Sequence, residues 1–273
     1  MKYFVIFFSL CAAALTAWPQ EAQPDRVTVP FSDASRPKSL KASLVNGSIS
    51  IKGYDGKDAI VEARGGSGRV RRAERERTDG LHRIDTNATG LTVEESENVI
   101  TVGTRSPGEN ISLNIQVPFN TSLKLHVVNG HQVAVDQIAG DVEIDCTNAG
   151  VNVTHITGAA VVHSLNGNVL VSLDKVSGDK PMAFSSLNGN IDVTMPSDTK
   201  ARLRLKTDNG AIYSDFDIAL DPSGRTPAVE QNNSGKGKYR VRFDRTMFGT
   251  INGGGPEFAL TTFNGNIYLR KAK

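Results

Sequence analysis

At 273 residues, with 31 basic against 29 acidic side chains, the chain is long enough for one substantial domain. It is too evenly charged for nucleic acid to be an expected partner, because that binding draws on net positive charge. Of its two cysteines, Cys11 lies within the leader described next and only Cys146 beyond it, so neither an internal disulfide nor a paired-cysteine metal site is expected in the mature chain.

Residues 1–17 carry the marks of an export signal: Lys2, an apolar run over residues 3–8, then Leu10 to Ala14 and small residues up to Ala17. Cleavage is expected after Ala17, or as late as Ala22. Loss of Lys2 leaves 30 basic side chains (31 less one) against 29 acidic. The run is too short to cross a bilayer and no other stretch approaches its length. A mature chain that does not span the membrane is therefore expected, in the periplasm, on the cell surface or in the medium. Lipidation at Cys11 is not expected, since Leu10 puts a bulky side chain where a small one is wanted.

Residues 23–118 read as an amino-terminal β-layer within a single domain of residues 23–273. Strands are expected at 59–64, 81–85, 90–94, 98–103 and 111–117, joined by glycine-containing turns. This region also holds a basic cluster, Arg69, Arg71, Arg72, Arg75 and Arg77, interleaved with Glu74, Glu76 and Asp79. Such a cluster is a candidate anion site for acidic glycans, lipopolysaccharide or nucleic acid. The plainer reading is a solvated hairpin whose alternating charges keep a sheet edge soluble.

Residues 119–220 are regular. Asn-Gly recurs at Asn129-Gly130, Asn166-Gly167, Asn188-Gly189 and Asn209-Gly210, with the variant Asn148-Ala149-Gly150 and outlying copies at Asn46-Gly47, Asn252-Gly253 and Asn264-Gly265. From Asn129 to Asn209 the steps are 19, 18, 22 and 21 residues. A period near twenty marks a stacked repeat. With each Asn as zero, apolar residues stand at −6, −4, +3 and +5: Val142, Ile144, Val151 and Val153 in one repeat, Met182, Phe184, Ile191 and Val193 in another. The repeat at Asn129 has one extra residue near His131. This alternation predicts strands with one buried face. The −2 column (Val127, Cys146, Ser164, Ser186, Thr207, Thr262) falls on that face, where hydroxyls can bond backbone from one repeat to the next. Cys146 is read there as a small buried residue. The Asn-Gly corners and a second mark, Ile138-Ala-Gly140 and Ile156-Thr-Gly158, are expected to use the tolerance of Asn and Gly for positive φ.

Asn-Gly between alternating strands is also a hairpin signal, so an antiparallel meander competes. Matching columns across repeats favour a parallel coil in which like stacks on like about 4.8 Å apart. The expected fold is all-β, a parallel β-helix or solenoid capped by the amino-terminal layer. Residues 221–257 read as an exposed excursion around one strand at 239–243, and 258–273 as a last rung forming the carboxy-terminal edge.

The phrases Leu123-Lys-Leu-His-Val-Val-Asn-Gly130, Ile138-Ala-Gly-Asp-Val-Glu-Ile144, Ser164-Leu-Asn-Gly-Asn-Val169, Ser186-Leu-Asn-Gly-Asn-Ile191 and Thr262-Phe-Asn-Gly-Asn-Ile267 give the chain its resemblance to bacterial adhesin-like proteins of the DUF4097 type. The resemblance covers most of residues 40–271. It implies an exported β-solenoid and supplies no catalytic residues.

Chemistry-bearing residues are sparse. His82, His126, His131, His155 and His163 show no metal-ligand spacing, and no metal or cofactor is expected. Asp141, Asp145 and Asp192 could pair by stacking, as a glycosidase requires. Rungs this short leave little loop to build a cleft, so an enzyme is not expected. The expected function is a non-enzymatic surface for a cell-surface polysaccharide or envelope protein. A polysaccharide-active enzyme and a self-associating envelope protein are the alternatives.

Overall fold

In a computed structural model, the described residues are 24–65, 89–104, 110–176, 180–221, 228–231, 239–242 and 245–272. They are all-β, and among them there is no helix. The leader at 1–17 and the expected strand at 81–85 lie outside the described residues.

The first strands are β1 (Asp25–Val29), β2 (Lys38–Tyr54), β3 (Ala59–Gly65), β4 (Leu91–Ser96), β5 (Val99–Thr104) and β6 (Ile111–Pro118). Two long strands follow, β7 (Thr121–Ile138) and β8 (Val142–Ile156). After them the Asn-Gly phrase separates shorter pairs: β9 (Ala160–Asn166) and β10 (Val169–Leu173), β11 (Met182–Asn188) and β12 (Ile191–Met195), β13 (Ala201–Asn209) and β14 (Ile212–Ser214). The chain continues through β15 (Ala219–Leu220), β16 (Ala228–Gln231), β17 (Tyr239–Arg242), β18 (Met247–Ile251), β19 (Glu257–Asn264) and β20 (Ile267–Lys271). Strands β16 and β17 form a separate antiparallel ribbon; the others share one open sheet.

Across the middle of that sheet every pairing is parallel and like faces like. Strand β2 aligns Leu40, Asn46 and Ile51 with Leu123, Asn129 and Val135 of β7. Strand β7 aligns Leu125 and Asn129 with Ile144 and Asn148 of β8. Strand β8 then carries β9 along its first half and β10 along its second. Strands β11 and β12 follow in the same register. Parallel pairing at the Asn-Gly phrases sets the meander aside.

Three sequence expectations give way. The regular column begins at β2, so Asn46-Gly47 belongs with the repeats rather than with the layer before them. The strands at 258–269 do not form the carboxy-terminal edge. Strand β19 lies between β11 and β13, and β20 between β12 and β14. The chain thus leaves a gap between its 182–195 and 201–214 segments and fills it last. The expected excursion also rejoins the sheet early: β18 pairs antiparallel with β13, which buries Ile251.

Alternation is what buries the core. Residues at −6, −4, −2, +3 and +5 point inward because successive side chains of a strand take opposite faces. Val162, Phe184, Ile191, Phe258, Leu260 and Ile267 are all fully buried. A buried Phe is worth about 3–5 kcal/mol against alanine, so Phe184, opposite Leu260, and Phe258, opposite Met182, anchor this stretch of β11 and β19. Beyond β2, strands β5 and β6 pair parallel with it, and antiparallel β4, β3 and β1 follow. At the far end β18 and β15 run antiparallel past β13. Each end of the column therefore meets antiparallel strands, which cover the backbone groups that open parallel edges leave unpaired.

Candidate functional site

The repeated corner is the most specific feature of the molecule. Asn148 donates its side-chain amide to Asn129 Oδ1 (2.9 Å), Asn166 to Asn148 (2.8 Å), Asn188 to Asn166 (2.7 Å), Asn264 to Asn188 (2.7 Å) and Asn209 to Asn264 (2.9 Å). All five bonds point the same way, so the amides form one polarised chain along the exposed corner. A second, shorter line runs beside it. Asn190 N–H donates to Asn168 Oδ1 (2.9 Å), Asn266 N–H to Asn190 Oδ1 (2.8 Å) and Ala211 N–H to Asn266 Oδ1 (2.9 Å).

Beneath the corner, the −2 hydroxyls reach across to the neighbouring layer's backbone. Ser164 donates to Ala149 O (3.0 Å), Ser186 to Gly167 O (2.9 Å), Thr262 to Gly189 O (2.9 Å) and Thr207 to Gly265 O (2.8 Å). Cys146 takes the same column; it is buried, and burial first, then the nearby Asp145 charge, push its thiol up to about 12. A thiol that stays protonated is a poor nucleophile, so Cys146 packs as a small apolar residue.

Positive φ is found at some corners, at Gly47 (φ 136), Asn252 (φ 49), Gly253 (φ 85) and Gly265 (φ 157), but others answer a different need. Gly167 and Gly189 are not left-handed, and Asn129-Gly130 and Asn148-Gly150 lie inside continuous strands. What these corners require is close approach: a Cβ on Gly167 would lie 2.1 Å from Ala149 O, and one on Gly189 2.1 Å from Gly167 O. Ala149 fits its corner where β7 carries the extra residue at His131 and the register shifts between Asn129 and Gln132. At the second mark, left-handed backbone falls on Gln137 (φ 60) and His155 (φ 54), while Gly158 is again a close approach, 2.1 Å from Gly140 O.

His155 Nδ1 lies 2.8 Å from Asp136 Oδ1, which also accepts from Thr154 (2.8 Å). Burial pushes the Asp136 carboxyl up, but the hydrogen bonds from His155 and Thr154 outweigh it and hold it below the ordinary value. His155 is raised, chiefly by that hydrogen bond. The raised His contributes stability below about pH 6.5 and loses it as pH rises through its folded pKa; the lowered Asp contributes above about pH 4 and loses it as pH falls. The pair is therefore strongest between those limits, and its exposure keeps it to about 0.2–1 kcal/mol. An NMR titration is expected to show the His155 midpoint above that of an unstructured histidine, returning to it in Asp136→Asn.

The outward −3 column sets His126, Asp145, His163 and Ser185 on successive strands β7, β8, β9 and β11. Spacing along the sequence conceals this set. Asp145, His163 and Ser185 stand in the order of a hydrolytic triad, but the geometry is wrong for one. His163 turns Nδ1 to the Ser185 hydroxyl, and Asp145 sits 3.6 Å from His126 Nδ1. All of them lie on a flat, wet face rather than in a cleft. The proposed glycosidase carboxylates are not brought together either. Asp141 is bound by Lys180 (2.7 Å). Asp192 lies past the Asn-Gly corner from Asp145, where Arg270 Nε reaches both its oxygens (2.9 Å each). Among the described residues no group of three His, Cys, Asp or Glu side chains is placed to hold a metal ion. The candidate anion site, Arg69, Arg71, Arg72, Arg75 and Arg77, lies outside the described residues.

Two features were not singled out from sequence. Tyr213 and Tyr268 stack at 5.2 Å, with Arg270 over Tyr268 at 5.1 Å. An apolar line at −1, through Leu165, Leu187 and Phe263, is exposed beside the asparagine chain. The alternation pointed every −1 side chain outward, so the line was there to be read.

The chain belongs to the Toastrack DUF4097 family, whose model matches residues 19–252. No curated protein matches the sequence. The chain is similar in structure to a candidate cell adhesion protein from Clostridium sporogenes, with a TM-score of 0.44 and 11% identity over 92% of this chain and 100% of that one. It is also similar to a candidate adhesin from Bacteroides fragilis, with a TM-score of 0.35 and 11% identity over 92% of this chain and 97% of that one. These likenesses say nothing of what this chain binds. Among the described residues no helix is long and apolar enough to cross a membrane.

Proposed function

We propose that the chain is an exported, non-enzymatic adhesin-like protein: a parallel β-solenoid of roughly twenty-residue rungs that offers a repeated surface to an extended partner. The partner is a cell-surface polysaccharide or a protein of the bacterial envelope. One observation carries this reading: the same amide recurs from Asn129 to Asn209 in an unbroken hydrogen-bonded chain. Equivalent groups at regular spacing give many weak, equivalent contacts, which add up for a polymer and not for a single sugar. Export rests on the leader at residues 1–17.

Cell fractionation and a glycan array of graded chain lengths test the proposal. Recovery outside the cytoplasm and retention rising with polymer length are expected, without turnover. Cytoplasmic recovery, or polysaccharide cleavage abolished by Asp145→Asn, would overturn it.

A further inference from the structure

The outward face formed by β9, β11 and β19 is almost free of charge. Its −5 column is Val161, Ala183 and Ala259, its −3 column His163, Ser185 and Thr261, and its −1 column Leu165, Leu187 and Phe263. The last three are 45%, 43% and 46% exposed. An outward sheet face with three adjacent large apolar side chains is unusual for a surface that meets only water.

The strands bordering this face carry opposite charge at matching positions. On β8, two strands from β11, the −5 and −3 positions are Glu143, which also binds Lys124 of β7 (2.7 Å), and Asp145. On β13, beyond β19, the same positions are Arg204 and Lys206. Strand β11 lies midway, with β9 and β8 to one side and β19 and β13 to the other.

We propose that this face docks a second copy of the chain across a two-fold axis that runs along β11 in the plane of contact. Such an axis reverses strand order and preserves position along each strand. It sets Leu187 against Leu187 and Leu165 against Phe263. It also sets Glu143 against the other copy's Arg204, and Asp145 against its Lys206, so each charged contact occurs twice. The pairing is isologous and self-limiting, and it leaves both ends of the column uncovered by the contact. Five strands about 4.8 Å apart, each contributing about 17 Å of length, cover roughly 400 Å² per copy. That is small for a protein interface and fits a weak, reversible dimer. The matched charges set its orientation more than its strength.

Sedimentation velocity on the mature chain, over a concentration range up to about 1 mM, tests this, the range being set by the weak affinity such an area allows. A monomer–dimer equilibrium weakened by salt is expected. Leu187→Lys, which brings two ammonium groups together on the axis, should weaken it at least about tenfold. Asp145→Lys and Lys206→Glu should each weaken it, and the double reversal should restore it to within about threefold of the original, since both pairs reform with sign exchanged. Circular dichroism melts establish that each variant is folded, and the charge exchange decides the matter should Leu187→Lys fold poorly. A chain that stays monomeric, a dimer indifferent to Leu187→Lys, or a double reversal no better than its singles would overturn the proposal. So would a monomer that loses a glycan partner on Leu187→Lys, since the face would then belong to that partner.

Discussion

Gly189→Ala is expected to destabilise the protein by about 2–4 kcal/mol, although alanine is the smallest possible addition. The added methyl would lie 2.1 Å from Gly167 O and 2.5 Å from its carbonyl carbon. Those are backbone atoms of the neighbouring corner, between β9 and β10, and the oxygen accepts from Ser186, so no side-chain rotation relieves the overlap. Either the corner moves and stretches the Asn166–Asn188 and Asn188–Asn264 bonds, or the two strands separate. For a chain this long each kcal/mol lowers the melting temperature by about 2–4 °C, giving a loss of roughly 4–16 °C by calorimetry. Gly103→Ala is the control, because a Cβ there meets nothing within 4 Å. It should change the melting temperature little. Equal losses in both variants would mean that close approach at the corner is not what the glycine serves.

The asparagine corners should also resist deamidation. Asn-Gly is the dipeptide most open to it in unstructured peptides: the glycine nitrogen attacks the Asn side-chain carbonyl, ammonia leaves, and the cyclic imide hydrolyses to aspartate or isoaspartate. Here both reacting groups are held. Gly167 N–H donates to Asn188 O (3.0 Å), Gly189 N–H to Asn264 O (2.9 Å) and Gly265 N–H to Asn209 O (3.1 Å). The Asn188 amide is held at both ends by its neighbours. Reaction at Asn188 thus requires a local opening that breaks three hydrogen bonds, about 3 kcal/mol, or a slowing of roughly a hundredfold relative to the unfolded chain. Peptide mapping by mass spectrometry, after incubation at mildly alkaline pH with and without denaturant, measures it. Asn252-Gly253 lies in a turn with Asn252 at φ 49, but its amide also donates to Ser197 O (3.2 Å) and Thr199 O (2.8 Å), so it too should react more slowly in the folded than in the denatured chain. Similar rates at Asn188 in folded and denatured chains would contradict the protection.

The buried columns were legible because they depend only on the alternation of side chains along a strand. Phe184, Ile191, Val193 and Leu205 were placed inward by spacing from their asparagines, and they are buried. The −2 hydroxyls were legible for the same reason. Strand order was not, because any repeat with the right inward residues can stack on any other. One signal could have supplied it. Asn168, Asn190 and Asn266 share the +2 position, and each of the first two accepts from the next layer. Ala211 has no side chain to continue the line, so its repeat must stand at the end, after the one containing Asn266. The −1 column agrees: Leu165, Leu187 and Phe263 fall together and Asp208 falls outside them. The close approach that Gly167 and Gly189 serve was not legible because strand approach is a property of two segments, whereas the φ preference seen at Gly47 and Gly253 belongs to one. The His126, Asp145, His163 and Ser185 column was missed for a like cause, since its members are 18 to 22 residues apart along the chain.

Scalar couplings transmitted through backbone hydrogen bonds, measured by NMR on a deuterated, isotope-labelled sample, test the register and the strand order together. The Gly189 amide nitrogen should couple to the Asn264 carbonyl carbon, and the Gly265 nitrogen to that of Asn209, matching bonds of 2.9 and 3.1 Å. A coupling from Gly189 to Asn209 instead would place the repeats in simple sequence order, breaking the amide chain at Asn264 and removing the face on which self-association depends.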